Sequence, residues 1–451
     1  MLLAACSPGG GGGSKSDVDP VPDLDPIDPP DEKTWSVETV ESGGVGIAVD
    51  LERMPDGRLS MAYFSDVSKE VGPCEALGQN PPPKEVHPMR FVYGSSGSWQ
   101  KETVFEPPFE KQPRGLDLEY TPDGKASIAT MTGEPIGMPS YCGVHNTGWM
   151  LRESPGSWST ETAVETSGEA STGMRTSDFG EIVGEWASQA FTSSGEPVVA
   201  YKDIHQGGRQ SIDISKADLE LAIRSGGSWS AVPVDWGRGA GNGIDVEVDA
   251  QDRIFVSYIL PTESKMNDAQ RKLGIWVRMS ADDGQNWKKV RIYEKPTPSA
   301  PATVIDDQGN LHVLFYNPQD GLPILATLDD LSKFEDKSAW KLRAIGSSNH
   351  DEGQDPSLVV ADDGSLMAAY YRCGAAAGGV GNCQRRDDGL VFAWRDGDTW
   401  SQQVVDEGTD AFCGRDPSLT FDQQGRPVIA YACEEQHSGN RAIAVRFALR
   451  E

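Results

Sequence analysis

The chain has 451 residues, enough for two or three ordinary domains, and its 69 acidic against 40 basic residues give a net charge of −29. Nucleic acids and anionic lipids are expected to be poor partners, because this charge repels both at long range. The charge suits an extracellular surface, a cationic ligand or a bound divalent metal such as calcium, and it also serves simply to keep a protein soluble.

The first residues predict lipidation at Cys6. Residues 3–6 read Leu-Ala-Ala-Cys, which resembles the lipobox of bacterial lipoproteins, in which the cysteine carries the lipid and begins the mature chain. Because so few residues precede Cys6, we interpret residues 1–6 as a truncated signal remnant, with a chance Ala-Ala-Cys as the alternative. The resemblance implies a bacterial cell envelope, as an outer-membrane lipoprotein or an extracellular protein.

Residues 7–33 are predicted to form a disordered tether. Glycines fill residues 9–13, and an acidic, proline-rich stretch follows. Such a composition cannot bury apolar surface, and its like charges and prolines keep it extended. No apolar run in the chain is long enough to span a bilayer, so we expect membrane contact only through the N-terminal lipid.

Seven tryptophans recur about every 60 residues, a period that predicts a repeat protein. Several close the same short turn, with Gly-Ser-Trp at residues 97–99, 156–158 and 227–229. The seven are Trp35, Trp99, Trp158, Trp229, Trp287, Trp340 and Trp400. A repeat array of this kind makes residues 34–451 one closed domain.

Seven predicted β-hairpins lie between the tryptophans, each with two apolar runs around an Asp/Gly turn. Clear copies are Pro356 to Tyr370 (PSLVVADDGSLMAAY) and Pro417 to Tyr431 (PSLTFDQQGRPVIAY). Alternating apolar residues around a Gly-bearing turn are typical of hairpins. A third strand, and then a fourth after the Trp turn, follow each hairpin, so the sequence predicts an all-β, seven-bladed β-propeller of four-stranded antiparallel blades.

The two ends of the chain predict how the propeller closes. The last unit has a third strand, Arg441 to Phe447, but no Trp turn after it, whereas Thr34 to Val40 is a fourth strand with no blade before it. We therefore expect the N-terminal strand to complete the seventh blade and to leave no open sheet edge.

One Trp turn is nearly intact and carries a resemblance to a known family. Residues 280–287 read SADDGQNW, which resembles the Asp-box of BNR, or sialidase-like, β-propellers. We expect Ser280 and Asp282 to accept hydrogen bonds from the turn, Gly284 to supply a left-handed residue and Trp287 to pack between strands. Because Asp-boxes in such propellers lie opposite the substrate site, the resemblance implies a structural role for these four residues.

The long irregular segments are predicted to share one face. If the turns between the first and second strands and between the third and fourth strands share a face, the remaining loops share the other. The long segments are all of the latter kind: Phe64 to Pro88, Glu165 to Glu185, Arg372 to Asp388 and Glu407 to Arg415. Long loops over a central channel are where propellers bind ligands.

Six cysteines remain besides Cys6, and their even number favours disulfides in an exported protein. Two pairs lie within one loop or flank one strand pair, and the third joins equivalent loops of the first two blades. The hypothetical pairs are Cys373–Cys383, Cys413–Cys433 and Cys74–Cys142. Zinc would need clustered ligands, which neither the cysteine spacing nor the histidines supply, so no metal site is predicted.

Two blades begin with the same signature, Asp-Pro-Ser, at Asp355 and Asp416. An aspartate that begins an innermost strand would face the channel entrance, where two such residues could hold a cation or bind a sugar. Alternatively, both cap the first turn of the strand as part of the repeat. Arginines could reach the same face, and they are Arg90, Arg114, Arg238, Arg372 and Arg415. Asp355, Asp416, Arg372 and Arg415 are the candidate ligand-binding residues.

Two functions remain open. A sialidase-type hydrolase needs a Tyr nucleophile backed by a carboxylate, an acid/base Asp and an arginine cluster, and the family's Arg-Ile-Pro motif is missing from the first blade. We therefore favour a non-catalytic, monomeric surface lipoprotein without a cofactor, whose loops bind a glycan, a peptide or an envelope protein. The alternative is a sialidase-like or other glycoside hydrolase acting in the channel mouth.

Overall fold

The computed structural model describes residues 34–65, 69–73, 83–106, 108–109, 115–132, 145–166, 182–204, 217–236, 239–261, 273–295, 297–347, 349–375, 383, 387–408, 411–437 and 440–451. Cys6, Cys74, Cys142 and the tether lie outside these residues, so lipidation and the third disulfide stay predictions. No helix in the described part is long and apolar enough to cross a membrane.

The described regular structure is almost entirely β-strand, with short 3-10 helices at Leu331–Lys333 and Lys337–Ala339. In chain order the strands are β1 (Trp35–Glu41), β2 (Val45–Arg53), β3 (Leu59–Ser65), β4 (Lys69–Pro73), β5 (Pro83–Val86), β6 (Met89–Ser95), β7 (Ser98–Phe105), β8 (Pro108–Phe109), β9 (Leu116–Tyr120), β10 (Ala126–Thr132), β11 (Asn146–Ser154), β12 (Ser157–Val164), β13 (Ile182–Phe191), β14 (Pro197–Ile204), β15 (Ala217–Ser225), β16 (Ser228–Asp235), β17 (Asn242–Val248), β18 (Ile254–Leu260), β19 (Gly274–Ser280), β20 (Lys288–Tyr293), β21 (Ala302–Ile305), β22 (Leu311–Asn317), β23 (Leu322–Leu328), β24 (Lys341–Ala344), β25 (His350–Val360), β26 (Leu366–Ala375), β27 (Gly389–Asp396), β28 (Thr399–Glu407), β29 (Cys413–Phe421), β30 (Pro427–His437) and β31 (Asn440–Arg450).

Seven four-stranded antiparallel sheets form the blades of a β-propeller, which confirms the predicted fold class. Six blades use four strands in chain order, starting at β2, β9, β13, β17, β21 and β25. In the first of them a small sheet of β4, β5 and β8 accompanies the blade. The first strand of each blade lines the central channel and the fourth lies outermost.

The seventh blade is closed by the N-terminal strand, as the sequence predicts. Its strand order is β29-β30-β31-β1, and Trp35 in β1 lies opposite Arg450 in β31. The carbonyl of Thr34 also accepts the backbone N–H of Glu451 at 2.9 Å. The first and last strands are therefore hydrogen-bonded to each other, and the sheet has no open edge there.

Buried tyrosines recur in the blades, and some of them bond to a neighbouring blade. A tyrosine lies near the end of the second strand in six blades, and each is at most 1% exposed: Tyr63, Tyr201, Tyr258, Tyr316, Tyr370 and Tyr431. The Tyr258 hydroxyl donates to Asp235 on the preceding blade at 2.6 Å, and Arg278 pairs with the same carboxylate at 2.9 Å. Burial of a large side chain contributes about 1.5–3 kcal/mol, and the hydroxyl bond fixes the angle between the blades.

The repeated tryptophans link the blades at their outer edge. The indole N–H of Trp158 donates to Glu102 of the preceding blade at 3.1 Å, and Arg152 forms an ion pair with Glu102 at 2.6 Å. The same indole bond joins Trp99 to Glu38 at 2.9 Å. These two tryptophans therefore join their blades to the preceding ones.

The turn at residues 280–287 has the local geometry that its sequence predicts. The Ser280 hydroxyl accepts the N–H of Gly284 at 2.9 Å, and Asp282 accepts the Ser280 hydroxyl at 2.8 Å. Gly284 has a φ of 76°, which suits a residue without a Cβ. The indole N–H of Trp287 donates to a carbonyl of the preceding blade at 3.0 Å.

Candidate functional site

The two faces of the ring differ in their connections. The connections between the first and second strands, and between the third and fourth strands in the first six blades, form one face, which we call the turn face. The remaining connections form the loop face, including the described parts of the four long segments. Inner strands run from the loop face towards the turn face, so their first residues lie at the channel mouth.

A ring of hydrogen bonds joins the inner strands of neighbouring blades around the channel below the mouth. Each inner strand contributes one polar side chain: Asp50, Asp117, Ser188, Asp245, Thr303, Ser357 and Ser418. Six of the seven accept a backbone N–H from the next blade, as Asp50 does from Leu118 at 2.7 Å and Ser357 does from Leu419 at 3.1 Å. This polar pattern is part of the scaffold.

Further carboxyl groups lie deeper in the channel. Glu52, Glu119 and Glu247 are each two residues beyond a ring aspartate. Burial, followed by repulsion from neighbouring carboxylates, raises the pKa of each well above its usual range. The lower channel therefore favours protonated carboxyl groups or positive charge.

Most blades begin at the channel mouth with a residue in the left-handed backbone conformation. Two positions before the ring, six blades have a φ between 45° and 79°, and these residues are Ala48, Gly115, Trp186, Gly243, Asp355 and Asp416. The fifth blade has Pro301, whose ring fixes φ at a negative value. Only three of these seven positions therefore carry an aspartate or an aromatic side chain.

Asp355 and Asp416 lie at this mouth on neighbouring blades. Desolvation raises the pKa of Asp416 to about 7, repulsion from Asp355 adds to it, and Arg415 and the Ala48 N–H oppose it. Desolvation also raises the pKa of Asp355, against the Ser299 hydroxyl, Arg415 and the Asp416 N–H. Both aspartates thus interact with the backbone of the next blade, and Asp416 is exposed as a whole residue although its carboxyl group is desolvated.

Two oppositely charged side chains are buried beside the mouth on the sixth blade, and the ion-pair partner of the arginine is Glu407 at 3.4 Å. Glu352 and Arg372 are direct cross-strand neighbours on β25 and β26, at 0% and 8% exposure. Glu352 accepts the N–H of Ser347 through Oε1, whereas its Oε2 and the Nε of Arg372 are buried without a hydrogen-bond partner. Burial raises the pKa of Glu352 to about 7, although Arg372 lowers it.

Tyr371 and Asp388 extend the group of Glu352 and Arg372 towards the seventh blade, and we call these four residues the polar wall. Asp388 accepts the Tyr371 hydroxyl at 3.1 Å and the N–H of Cys413 at 2.9 Å through Oδ2, while its Oδ1 is buried without a partner. Burial raises the pKa of Asp388 to about 6. The guanidinium of Arg415 lies 4.5 Å from the ring centroid of Phe412 and 5.5 Å from that of Tyr371.

The predicted disulfides Cys373–Cys383 and Cys413–Cys433 are both present beside this wall. Cys373 directly follows Arg372, and the backbone N–H of Cys413 donates to Asp388. The two disulfides therefore restrain the backbone beside these polar groups. Across the described ranges, one group of three possible metal ligands falls within 4.8 Å, and it consists of Asp406 with Cys413 and Cys433. Because its two sulfurs are joined in a disulfide, this group does not fit a metal.

The structure brings together the four candidate residues predicted from the sequence. Asp355, Asp416 and Arg415 meet at the mouth, and Arg372 lies in the wall behind them. Of the other arginines, Arg90 donates to Thr103 within its own blade, and Arg114 and Arg238 lie outside the described residues. The sequence also allowed Asp355 and Asp416 simply to cap the first turn of their strands. This describes only part of their role, because their carboxyl groups interact with the next blade.

Sequence reasoning missed Glu352, Asp388, Tyr371 and Trp186. Trp186 had a usable signal, because it stands at the repeat position of Asp355 and Asp416. The burial of Glu352 had none, because irregular pairing between Asp351 and Ser357 decides which side chains point inward.

The sequence matches no protein-family model and no curated protein. Among solved structures, it is similar in fold to a protein of unknown function from Dyadobacter fermentans, at 12% identity and a TM-score of 0.46, covering 92% of this chain and 99% of that one. It is similar to Trypanosoma rangeli sialidase at 15% identity and a TM-score of 0.44, over 79% of this chain and 56% of that one. It is also similar to an alpha-L-arabinanase of Penicillium chrysogenum at 14% identity and a TM-score of 0.46, over 80% of this chain and 97% of that one. These likenesses concern the propeller fold alone.

Proposed function

We propose that the loop face binds a glycan at the channel mouth without cleaving it. The observation that carries the proposal is a set of four buried polar atoms without hydrogen-bond partners on the sixth blade: His350 Nδ1, Glu352 Oε2, Arg372 Nε and Asp388 Oδ1. Each unpaired buried polar atom costs about 1–3 kcal/mol, so four in one region favour a bound polar molecule.

The chemistry of this region fits a sugar better than a uniformly charged ligand. It presents an N–H donor on Arg372, a carboxyl group on Glu352 that carries a proton near neutral pH, and acceptors on Asp388. Sugar hydroxyls donate and accept in the same way. The aromatic rings under Arg415 add an apolar rim, and binding sites typically combine such surfaces with a few polar groups.

The alternative function, glycoside hydrolysis, has one observation in its favour. The pKa of Asp388 is raised to about 6 and that of Glu352 to about 7, both by burial. A carboxyl group that stays protonated near neutral pH can act as a general acid on a glycosidic oxygen, and a second carboxylate would then serve as base or nucleophile.

One experiment separates binding from hydrolysis. Linear hexasaccharides of glucose, xylose, arabinose and N-acetylglucosamine would be titrated calorimetrically into the purified chain, and new reducing ends would be measured in parallel. We expect at least one sugar to bind without cleavage, and Arg372→Met to weaken it at least tenfold. Cleavage that Asp388→Asn abolishes would establish the hydrolase, whereas binding of a peptide or an envelope protein but no sugar would refute the glycan proposal. A repeat with a chelator tests whether calcium contributes.

A lipid on Cys6 would suit a surface-exposed binding protein. Thr34 lies on the turn face, beside the C-terminal Glu451. A lipidated chain would therefore leave the body from that face, and the loop face would point away from the membrane. Mass spectrometry of the mature protein tests this, because an unmodified N-terminus before Cys6 would refute it. We propose that the anchored body acts as a monomer, and sedimentation of a detergent-solubilised sample would reveal a larger assembly.

A further inference from the structure

An arginine near the turn face recurs in several blades, and its partner is a carboxylate of the preceding blade. In the second blade, Arg152 lies opposite Trp158 on the neighbouring strand, and its guanidinium lies 4.6 Å from the ring centroid of Tyr93. Glu102 of the first blade accepts two hydrogen bonds from Arg152, at 2.6 and 3.1 Å, and the Trp158 indole N–H at 3.1 Å. A carboxylate that binds an arginine through both oxygens makes a strong polar contact.

The third and seventh blades show the same arrangement with one difference. In the third blade, Arg224 and Trp229 share Glu161 of the preceding blade in the same way. In the seventh blade, Trp35 and Arg450 are the cross-strand pair, and Gln403 of the sixth blade occupies the position of the carboxylate. The Gln403 amide oxygen accepts the Trp35 indole N–H at 3.2 Å, but an amide supplies neither a second oxygen nor a negative charge for the arginine.

Arg450 therefore keeps the aromatic contacts of the repeat but lacks its carboxylate. Its guanidinium lies 4.5 Å from the ring centroid of Trp394 and 5.0 Å from that of Phe392. Its Nε is buried without a hydrogen-bond partner in the described part of the chain. Burial lowers the pKa of Arg450, whereas Glu102 raises that of Arg152 against the effect of burial. Arg450 as a residue is partly exposed, which leaves its guanidinium within reach of a carboxylate.

An acidic segment of this chain leads directly to the strand beside Arg450. Residues 28–32, outside the described residues, read Asp-Pro-Pro-Asp-Glu. Glu32 precedes Trp35 by three residues, so the two Cα atoms can be at most about 11 Å apart. Covalent attachment gives such a segment an effective concentration in the millimolar range. The net charge of −29 repels a separate acidic molecule, so the chain's own carboxylates are favoured.

We propose that Arg450 is the docking site of the acidic segment at residues 28–32, whose carboxylates take the place that Glu102 and Glu161 hold in other blades. The ion pair fastens the chain just before the closing strand β1. The free part of the predicted tether then ends near residue 27, and a pull on the proposed lipid anchor reaches this ion pair before it reaches β1. The inference goes beyond the proposed glycan binding and does not depend on it.

Urea unfolding of the full chain tests the contact as a double-mutant cycle. Two sets of substitutions each remove three negative charges, one set near Trp35 and one farther from it. The near set is Asp28→Asn, Asp31→Asn and Glu32→Gln. The distant set, which controls for net charge, is Asp17→Asn, Asp19→Asn and Asp23→Asn.

Each set is measured in the wild type and in two backgrounds that change the docking site. Gln403→Glu restores the carboxylate of the repeat, so Arg450 gains a partner within the body while both aromatic rings stay in place. Arg450→Met removes the charge and keeps an apolar side chain over the rings. Because Gln403→Glu leaves the arginine unchanged, it tests the contact even where Arg450→Met weakens the fold.

In the wild type at low salt, the near set should raise the unfolding equilibrium constant at least fivefold, and the distant set less than twofold. In both backgrounds the near set should also stay below twofold, because Arg450 is either paired or absent. An equal effect of the two sets, or an equal effect of the near set in all backgrounds, would overturn the proposal. So would a near set without effect while an added synthetic peptide of residues 23–33 stabilises the wild type, since the occupant would then be a separate acidic chain.

Discussion

The turn face and the loop face differ in how their carboxylates are paired. On the turn face, Asp422 accepts the N–H groups of Gln424 and Arg426 at 2.9 and 2.8 Å, and it pairs with the Arg426 guanidinium at 2.7 Å. Asp249 and Asp306 make the same pair of backbone bonds in their blades. On the loop face, the sixth blade buries polar atoms that nothing in the described part of the protein satisfies.

This contrast separates the repeated turns from the loop-face residues that we propose to bind a ligand. A repeated carboxylate that closes its own turn contributes stability and can be copied from blade to blade. A buried carboxyl group with a free oxygen contributes no such stability, and it persists where the surrounding blades hold it in place.

The largest expected effect is that the protein becomes more stable as the pH falls from 8 to about 5. Six carboxyl groups of the channel have a raised pKa, mainly through burial: Asp50, Glu52, Asp117, Glu119, Asp245 and Glu247. Each holds its proton more tightly when folded, so its stabilising contribution is full below the unfolded pKa of about 4 and is lost as the pH rises through the folded pKa, about 7 for Asp245.

A tenfold difference in proton affinity between the folded and unfolded chains is worth about 1.4 kcal/mol, so the summed change over these groups is on the order of several kcal/mol. Burial lowers the pKa of His145 to about 4 and also lowers the pKa of His312 and of His350, so these three groups oppose the trend that the six carboxyl groups set. Urea unfolding at several pH values measures the trend. Replacing Glu52, Glu119 and Glu247 by Gln should flatten it, and a protein that gains stability towards pH 8 would contradict it.

Breaking a turn on the turn face should lower the free energy of unfolding without affecting ligand binding at the loop face. Asp422→Ala removes the acceptor of two backbone N–H groups and a partner of Arg426, so we expect a loss of about 2 kcal/mol of unfolding free energy. Asp362→Ala, at an exposed turn position, is the control and should change it by less than about 0.5 kcal/mol. Equal effects of the two variants would show that the repeated turn carboxylates do not hold the turn face together.

Removing a buried charge from the loop face should instead raise the free energy of unfolding. Glu352→Gln keeps an oxygen that can accept the Ser347 N–H but cannot ionise, so at pH 8 we expect a gain on the order of 1 kcal/mol in unfolding free energy. The gain should vanish near pH 5, where the native carboxyl group is already protonated. A loss of stability at pH 8 would mean that the attraction of Arg372 outweighs the burial of the charge.

The sequence predicts the architecture well because the repeat is written in strong local signals. Trp turns, Gly-bearing hairpins and the unpaired strand at Trp35 each follow from short-range chemistry, and together they predict the closure. The residues of the channel mouth are predicted only in part, since Asp355 and Asp416 share a sequence signature. Glu352 and Asp388 do not, because their burial depends on irregular strand pairing and on neighbouring blades rather than on a local pattern.

The most direct test of the loop face as the binding face compares two arginines of the seventh blade. Arg415 lies at the channel mouth, and Arg426 lies on the turn face at the other end of the same hairpin. With the hexasaccharide that binds the wild type most tightly, calorimetry should show Arg415→Met weakening binding at least tenfold and Arg426→Met leaving it unchanged. If Arg415→Met leaves binding unchanged and Arg426→Met weakens it, the ligand binds the turn face, and binding at the loop face is contradicted.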